Sequence, residues 1–406
     1  METFSQRAFL LCLLAALLAV PAGTALWSRK DTAAYYENRS LTEFPGLTAE
    51  SLWDGTLGSG LESWYSDHVP GRTTLLKADT AVQLHLLRRP AVNEVVSAGD
   101  VLLPLLPYEE RRAEEYPALA KAAAEPFARL SAYIQSYGGV FCYAGFPEQR
   151  VYFRDKYPDY LSRHETEISA GDGAYARAMA EAGVDFLDMA AVYDAQGHPR
   201  EYYSAVDHHY NYYGAYAAYR AVLDHLAEKG WDLPVLTEED LDFRELPNPL
   251  LTYELYEKYI ATRNRKLYNL WPNEERAVIG VQRTPVPFTR YDNGQPSDKP
   301  LFILPAADDL PATYNLYMGG DFAETVLETG RAELPNALIF GDSFTNALET
   351  LLYASFNETR VLDLRQYDEM PLRDYIGQYR PDVVLCIQND TFYYLGGGNN
   401  DVWEEP

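Results

Sequence analysis

The sequence predicts an α/β fold, a three-layer sandwich around a mainly parallel sheet, on three features of its 406 residues. Short apolar runs alternate with stretches of helical periodicity after residue 107, and again after residue 330. Three of the helical stretches end at glycine, at Gly138-Gly139, Gly183 and Gly230. A hydrophobic share of 47%, with 23% charged and 14% aromatic residues, describes a folded chain with a sizeable core.

Taken in order, the elements begin with an export segment over residues 1–27. Arg7 precedes the apolar run 8–20, small residues follow at Ala22, Gly23 and Ala25, and polar residues begin at Ser28. This is the order of a secretory signal, cleaved near Ala25 or retained as a membrane anchor through Leu26 and Trp27. Residues 28–107 are rich in Pro, Gly and polar side chains and predict an irregular arm with one or two short helices, such as 75–87. The α/β domain then spans 108–406. Phe127, Leu130, Ile134 and Tyr137 mark a helix over 118–137, and residues 140–144 form a strand. A helix over 174–182 leads to a strand at 184–188, and a long helix covers 212–229. Residues 231–330 hold many prolines and a polar stretch, Asn293-Gly294-Gln295-Pro296-Ser297-Asp298, which predicts an insertion. The alternation resumes with strands at 337–340, 359–364 and 382–387 and helices at 345–355 and 371–379.

With 34 basic and 60 acidic residues the net charge is −26, which excludes nucleic acid as a partner and repels anionic headgroups over most of the surface. The 33 tyrosines suit either sugar stacking or half-buried packing, and packing is the favoured reading. Cys142 and Cys386 each lie in an apolar strand-like run, as buried thiols do; neither a disulfide, a metal nor a cofactor is expected.

The chemistry-bearing residues start with Ser343. Gly341-Asp342-Ser343 follows an apolar strand and precedes a helix, so Ser343 falls on a tight turn at the carboxyl end of the sheet, where ligands of such folds gather. The glycine is read as permitting the turn, and the helix N-terminus as offering N–H groups to an oxyanion. The alternative is a simple helix cap by Asp342 or Ser343. A serine nucleophile needs a base held by an acid. Of seven histidines, His209 is the one set beside an acid in Asp207-x-His209; the alternative is Asp207 as a cap before the next helix. Asn389, at the end of the last strand, is a candidate oxyanion donor or an ordinary turn residue.

Together these residues resemble the SGNH hydrolase superfamily, and more closely the bacterial DHHW proteins and AlgX/AlgJ-like alginate O-acetyltransferases. The resemblance runs through Glu37-Asn38-Arg39-Ser40-Leu41 and Tyr65-Ser66-Asp67-His68-Val69-Pro70-Gly71-Arg72. It continues in Asp207-His208-His209-Tyr210 and Tyr314-Asn315-Leu316-Tyr317-Met318-Gly319-Gly320, and ends in Gly341-Asp342-Ser343-Phe344, Leu362-Asp363-Leu364-Arg365-Gln366-Tyr367 and the strand to Asp390. It implies an SGNH-hydrolase-like sandwich and an Asp207, His209, Ser343 triad. Tyr210 stands where the family carries tryptophan, and Gln388 replaces the glycine before the oxyanion asparagine of general SGNH enzymes. Arg365 and Tyr367 are further candidates for contact with the acyl oxygen.

The function implied is that of an exported serine esterase or O-acetyltransferase acting on a cell-surface or extracellular polysaccharide through an acyl-Ser343 intermediate. A membrane-bound O-acyltransferase is the expected acyl donor, and residues 1–27 a membrane tether. Two alternatives stand beside it: a non-catalytic envelope protein binding glycan through its tyrosines, and a DHH-type metal phosphoesterase. The second matches Asp207-His208-His209 but lacks an earlier Asp-x-Asp.

Overall fold

The computed structural model describes residues 2–24, 26, 32–34, 36–37, 39–106, 111–161, 164–246, 261–272, 275–304, 312–394 and 402–403. The expected cleavage position at Ala25, the polar flank 28–31 and Asn38 of the first motif lie outside them. The chain divides into two compact units, residues 1–95 with 264–271, and 96–263 with 272–406.

In the first unit the helix Glu2–Gly23 contains a segment, Gln6–Gly23, of mean hydropathy 1.7, long and apolar enough to cross a membrane. The region expected to be an irregular arm with one or two short helices contains helices Ala49–Trp53, Thr56–His68 and Arg72–Ala81, the last continuing as a π-turn Val82–Leu86 over the expected 75–87. The reason lies in the punctuation. Thr48 and Ser51 form a reciprocal cap, while Gly55 and Gly71 take left-handed φ of 83° and 73° immediately before a helix. Composition read as loop is therefore a set of helix joints. The two motifs of this unit meet in an ion-pair network. Arg39 donates to Asp67 at 2.5 and 2.9 Å, Arg72 pairs with Glu37, and the Thr42 N–H and hydroxyl donate to Asp67 at 2.9 Å each. Hydrogen bonding from Arg39 holds the Asp67 carboxyl well below the usual range.

The second unit is built on an eight-stranded sheet. Its strands in chain order are β1 (Val140–Phe146), β2 (Phe186–Asp188), β3 (Thr289–Asp292), β4 (Gln295–Ser297), β5 (Glu324–Glu328), β6 (Ala337–Gly341), β7 (Glu358–Asp363) and β8 (Val383–Asn389). Their spatial order is β4-β3-β5-β7-β6-β8-β1-β2. Neighbours from β7 to β2 are parallel, and β4, β3 and β5 add an antiparallel flank. The sheet is mainly parallel, as expected, but the supposed insertion at 231–330 supplies three of its strands. A two-residue hairpin joins β3 to β4 at Asn293 and Gly294, both at positive φ (50° and 72°), the geometry that Asn-Gly favours. The polar stretch is thus a turn within the sheet.

The longer helices flanking the sheet are α1 (Tyr116–Ser136), α2 (Glu165–Glu181), α3 (Tyr212–Glu228), α4 (Thr345–Leu352) and α5 (Leu372–Tyr379), with the shorter Met189–Ala195 packed on β1. Helices α1, α2 and α5 cover one face, burying Phe127, Leu130, Tyr175 and Ile376 against Phe141, Tyr143, Phe340 and Val384. Burial of each such side chain contributes about 1.5–3 kcal/mol. Helices α3 and α4 pack on each other, with the Tyr212 and Thr350 hydroxyls 2.9 Å apart. Cys142 and Cys386 are buried free thiols, and burial pushes both thiols up in pKa. Tyrosines 143, 175, 193, 203, 210, 212, 219 and 353 are fully buried, which favours packing over sugar stacking for this group.

The sheet ends in short strands on both sides. Strand β2 has three residues; β4 also has three and carries Pro296 opposite Tyr291. Asp292 and Gln295 close the two-residue hairpin, so the intervening pair is the one whose backbone N–H groups point away from each other, and proline there forfeits no ladder bond.

Candidate active site

Ser343 stands at the carboxyl end of β6, between Gly341 and the start of α4. The glycine serves strand contact here: its φ is not positive, and a Cβ on Gly341 would lie 1.8 Å from the Ile387 carbonyl oxygen of β8. Asp342 fixes the turn. Its Oδ1 accepts from the Phe344 N–H at 2.8 Å, and its Oδ2 accepts from the Asn389 N–H at 2.9 Å and the Asn389 Nδ2 at 2.7 Å. Burial pushes the Asp342 carboxyl up to about 6.

Asp207 and His209 lie in the loop between the short helix Arg200–Tyr202 and α3. An antiparallel bridge between Tyr203 and Tyr210 closes this loop, and the Ser204 hydroxyl accepts from the N–H groups of Val206 and Asp207. Asn211 caps α3 by accepting from Tyr213 and Gly214 N–H groups. Gly214 lets the helix approach, since a Cβ there would sit 2.3 Å from the Tyr202 carbonyl oxygen. The Tyr210 hydroxyl donates to the Phe344 carbonyl, so this residue ties the loop to the Ser343 turn.

The two segments, 134 residues apart in sequence, converge. His209 Nε2 is 2.6 Å from Ser343 Oγ, and His209 Nδ1 is 3.3 Å from Asp207 Oδ2. Asp207 also holds His208, its Oδ1 lying 3.0 Å from His208 Nδ1 and accepting from the His208 N–H at 2.8 Å. Burial would raise the Asp207 carboxyl, but the two imidazoles outweigh it and hold it well below the usual range. His209 is pushed down to about 4, first by burial and then by the charge of His208, against the pull of Asp207. His208 moves the other way: burial lowers it, and Asp207 more than compensates. Burial and His208 thus favour the neutral His209 imidazole, whose Nε2 faces Ser343 Oγ and whose Nδ1 faces Asp207.

The other expected site residues divide. Arg365 lies at the same sheet end, where Asp363 of β7 pairs in register with Gly341. Its guanidinium is bidentate on Asp363 at 2.9 and 2.7 Å and also donates to Asp321 at 2.7 Å. Asn389 departs from the oxyanion role: its Nδ2 holds Asp342, and its Oδ1 accepts from Thr391 N–H at 3.0 Å. At the helix N-terminus, expected to offer N–H groups to an oxyanion, the Phe344 N–H bonds to Asp342 Oδ1 and the Asn346 N–H to the Ser343 carbonyl. Tyr367 is buried core, its ring edge-on to Tyr375 at 5.6 Å, so it belongs to packing. Hydrophobic burial outcompetes the cleft for that aromatic.

Tyr314, Asp321 and Asn346 were not anticipated. The Tyr314 ring stacks on His209 at 3.6 Å and 3°, and Asn346 Nδ2 donates to Asp321 at 2.8 Å. Tyr314 opens the Tyr314–Gly320 motif, and Asn346 is three residues beyond Ser343 on the helix face, so both had a signal. Among the described residues, two groups offer metal-ligand atoms within 4.8 Å of one another: Asp207, His208 and His209, and Cys142, Asp185 and His225. In the second, Asp185 already binds His225 and the Lys229 ammonium at 3.1 Å.

Comparison with known proteins agrees with this architecture. Residues 106–251 match the family model for the SGNH hydrolase-like domain of acetyltransferase AlgX, a span that includes Asp207 and His209 and ends before Ser343. Bacillus cereus PatB1 with a sulfonyl adduct superposes with a TM-score of 0.62 at 18% identity, covering 76% of this chain and 98% of that one. A DHHW family protein from Eubacterium siraeum gives a TM-score of 0.56 at 19% identity, covering 77% and 95%. No curated protein matches by sequence. The fold is SGNH-hydrolase-like, α/β with a large, mainly parallel central sheet.

Proposed function

We propose that the chain is an extracytoplasmic acyltransferase or esterase that carries an acetyl group on Ser343 and passes it to, or removes it from, a polysaccharide hydroxyl. The 2.6 Å approach of His209 Nε2 to Ser343 Oγ carries this reading. His209 takes the serine proton as Oγ attacks the acyl carbon, and returns it to the departing oxygen; Asp207 stabilises the imidazolium formed. A sugar hydroxyl or water then reverses the steps. The acetyltransferase description of the family matched over 106–251 supports acetyl as the group moved. The apolar helix Gln6–Gly23 supports an export signal or membrane tether, and a membrane-bound O-acyltransferase is the natural acyl supplier for a tethered enzyme.

The direct test is to trap the intermediate. After brief incubation with p-nitrophenyl acetate and acid quench, mass spectrometry of peptides should find acetyl on Ser343. Acetyl confined to lysines, with turnover continuing, would end the serine reading. Equal glycan binding with no acetylation would favour the non-catalytic alternative.

The pH profile gives a second test. Because burial and His208 depress His209 to about 4, the acid limb of kcat/KM should fall well below the ordinary imidazole value. His208→Gln removes a lowering charge and leaves Asp207 to His209 alone. Both changes raise the His209 pKa, so the acid limb should move to higher pH. A limb that stays in place would remove His208 from the tuning of the base.

A further inference from the structure

We infer that Tyr314 is a positioning residue for His209, its ring holding the imidazole in the plane that keeps Nε2 on Ser343 Oγ. The inference rests on the proposed function, in which His209 takes the serine proton. The Tyr314 ring lies parallel to the imidazole, with centroids 3.6 Å apart and planes 3° apart. The His208 ring centre is 3.7 Å from the same imidazole. Contacting carbons sit about 3.5–4.0 Å apart, so two rings this near cannot share one face, and His209 is held between them. This restraint matters because the polar one is weak. Asp207 Oδ2 is 3.3 Å from His209 Nδ1, beyond the usual range of about 2.7–3.2 Å, and the same carboxylate also holds His208. With both faces covered, the imidazole cannot swing about its Cβ–Cγ bond. An aromatic face also attracts the imidazolium formed when the proton moves from Oγ to Nε2.

The segment that carries Tyr314 is anchored on several sides. Tyr317 packs edge-on to Tyr314 at 5.1 Å, and its hydroxyl donates to the Val278 carbonyl at 2.7 Å. The Leu316 carbonyl accepts from the Ile303 N–H and the Met318 N–H donates to the Leu301 carbonyl, each at 2.8 Å. Arg290 donates to the Met318 carbonyl at 2.6 Å. Met318 is buried at a φ of 60°, followed by Gly319 and Gly320 at 90° and 101°. A methionine in that left-handed region persists only where its surroundings impose it. The turn leads to Asp321, which accepts from Arg365 and from Asn346 of α4. One short segment thus reaches both His209 and the helix that follows Ser343.

The test compares Tyr314→Leu and Tyr314→Phe in the full chain, with p-nitrophenyl acetate as the probe. Tyr314→Leu keeps the site apolar and removes the ring, so kcat should fall by about tenfold or more with KM within about twofold, since misplacing a reacting group by about 1 Å costs about a hundredfold. Tyr314→Phe retains the ring and should stay within about twofold of the parent in kcat. A second readout needs no turnover. With histidine isotopically labelled on nitrogen, the His209 Nδ1 proton, assigned with His209→Gln, should give a resolved NMR resonance in the parent and in Tyr314→Phe, and be lost to exchange in Tyr314→Leu. Tyr314→Met, which fills space without a ring, gives the same comparison should Tyr314→Leu not fold. Parental kcat in Tyr314→Leu, a His209 resonance unchanged by it, or an equal loss in Tyr314→Phe each overturns the inference. A parent that releases no p-nitrophenolate counts against the Ser343 reading, and the resonance then decides the role of Tyr314 by itself.

Discussion

Ser343→Ala should lower kcat/KM for p-nitrophenyl acetate by about a thousandfold or more, equivalent to about 4 kcal/mol of transition-state stabilisation, without unfolding the protein. The hydroxyl is the atom that bonds to the acyl carbon, and no neighbour can substitute for it: the Thr345 hydroxyl donates to Glu349 at 2.6 Å. Ser343 is only partly buried, so its loss should change stability by less than about 0.5 kcal/mol. Turnover and thermal unfolding measured on the same preparation separate the two effects. A variant that melts normally and still turns over at the parental rate would show that another group carries the chemistry.

Gly341→Ala should be the most destabilising single-methyl change in the second unit, by about 3 kcal/mol or more. The added Cβ would meet the Ile387 carbonyl oxygen at 1.8 Å and its carbon at 2.7 Å, both backbone atoms of a central parallel strand. A side chain could swing aside; a strand in the middle of the sheet cannot move without breaking the pairings of β6 with β8. The same displacement would carry Asn389 away from Asp342 and loosen the turn that holds Ser343. Thermal unfolding should show the fall. Gly58→Ala is the control, since Gly58 lies in a helix with open space around its Cα and should be neutral or stabilising. Equal melting of both variants with the parent would refute the steric account.

Apolar periodicity located the central strands and most helices of the second unit within a few residues, because each buries a defined face; the helix expected at 174–182 begins nine residues earlier, at Glu165, where its first turns are polar. Periodicity located β3, β4 and β5 poorly. They are short, carry Arg290, Asp292 and Glu324 among their residues, and depend on partners distant in sequence. For the candidate site, Asp207-x-His209 and the turn at Ser343 were legible as motifs, whereas their meeting across 134 residues is a product of the fold. Asn389 shows the limit most clearly. An amide at a strand end reads the same whether it faces a cleft or a neighbouring carboxylate, and only the position of Asp342 decides. Tyr367 is similar, since the residue type says nothing of which side of the sheet its ring will occupy.

The short borders of the large sheet bear on solubility. A strand with a free outer edge is a template on which a second molecule can add its own strand, extending the sheet from one chain into the next. Here one border is only three residues long and the other presents Pro296, whose ring nitrogen has no hydrogen to donate outward. Such a protein can keep a large, densely apolar sheet at high concentration without recruiting its neighbours into it.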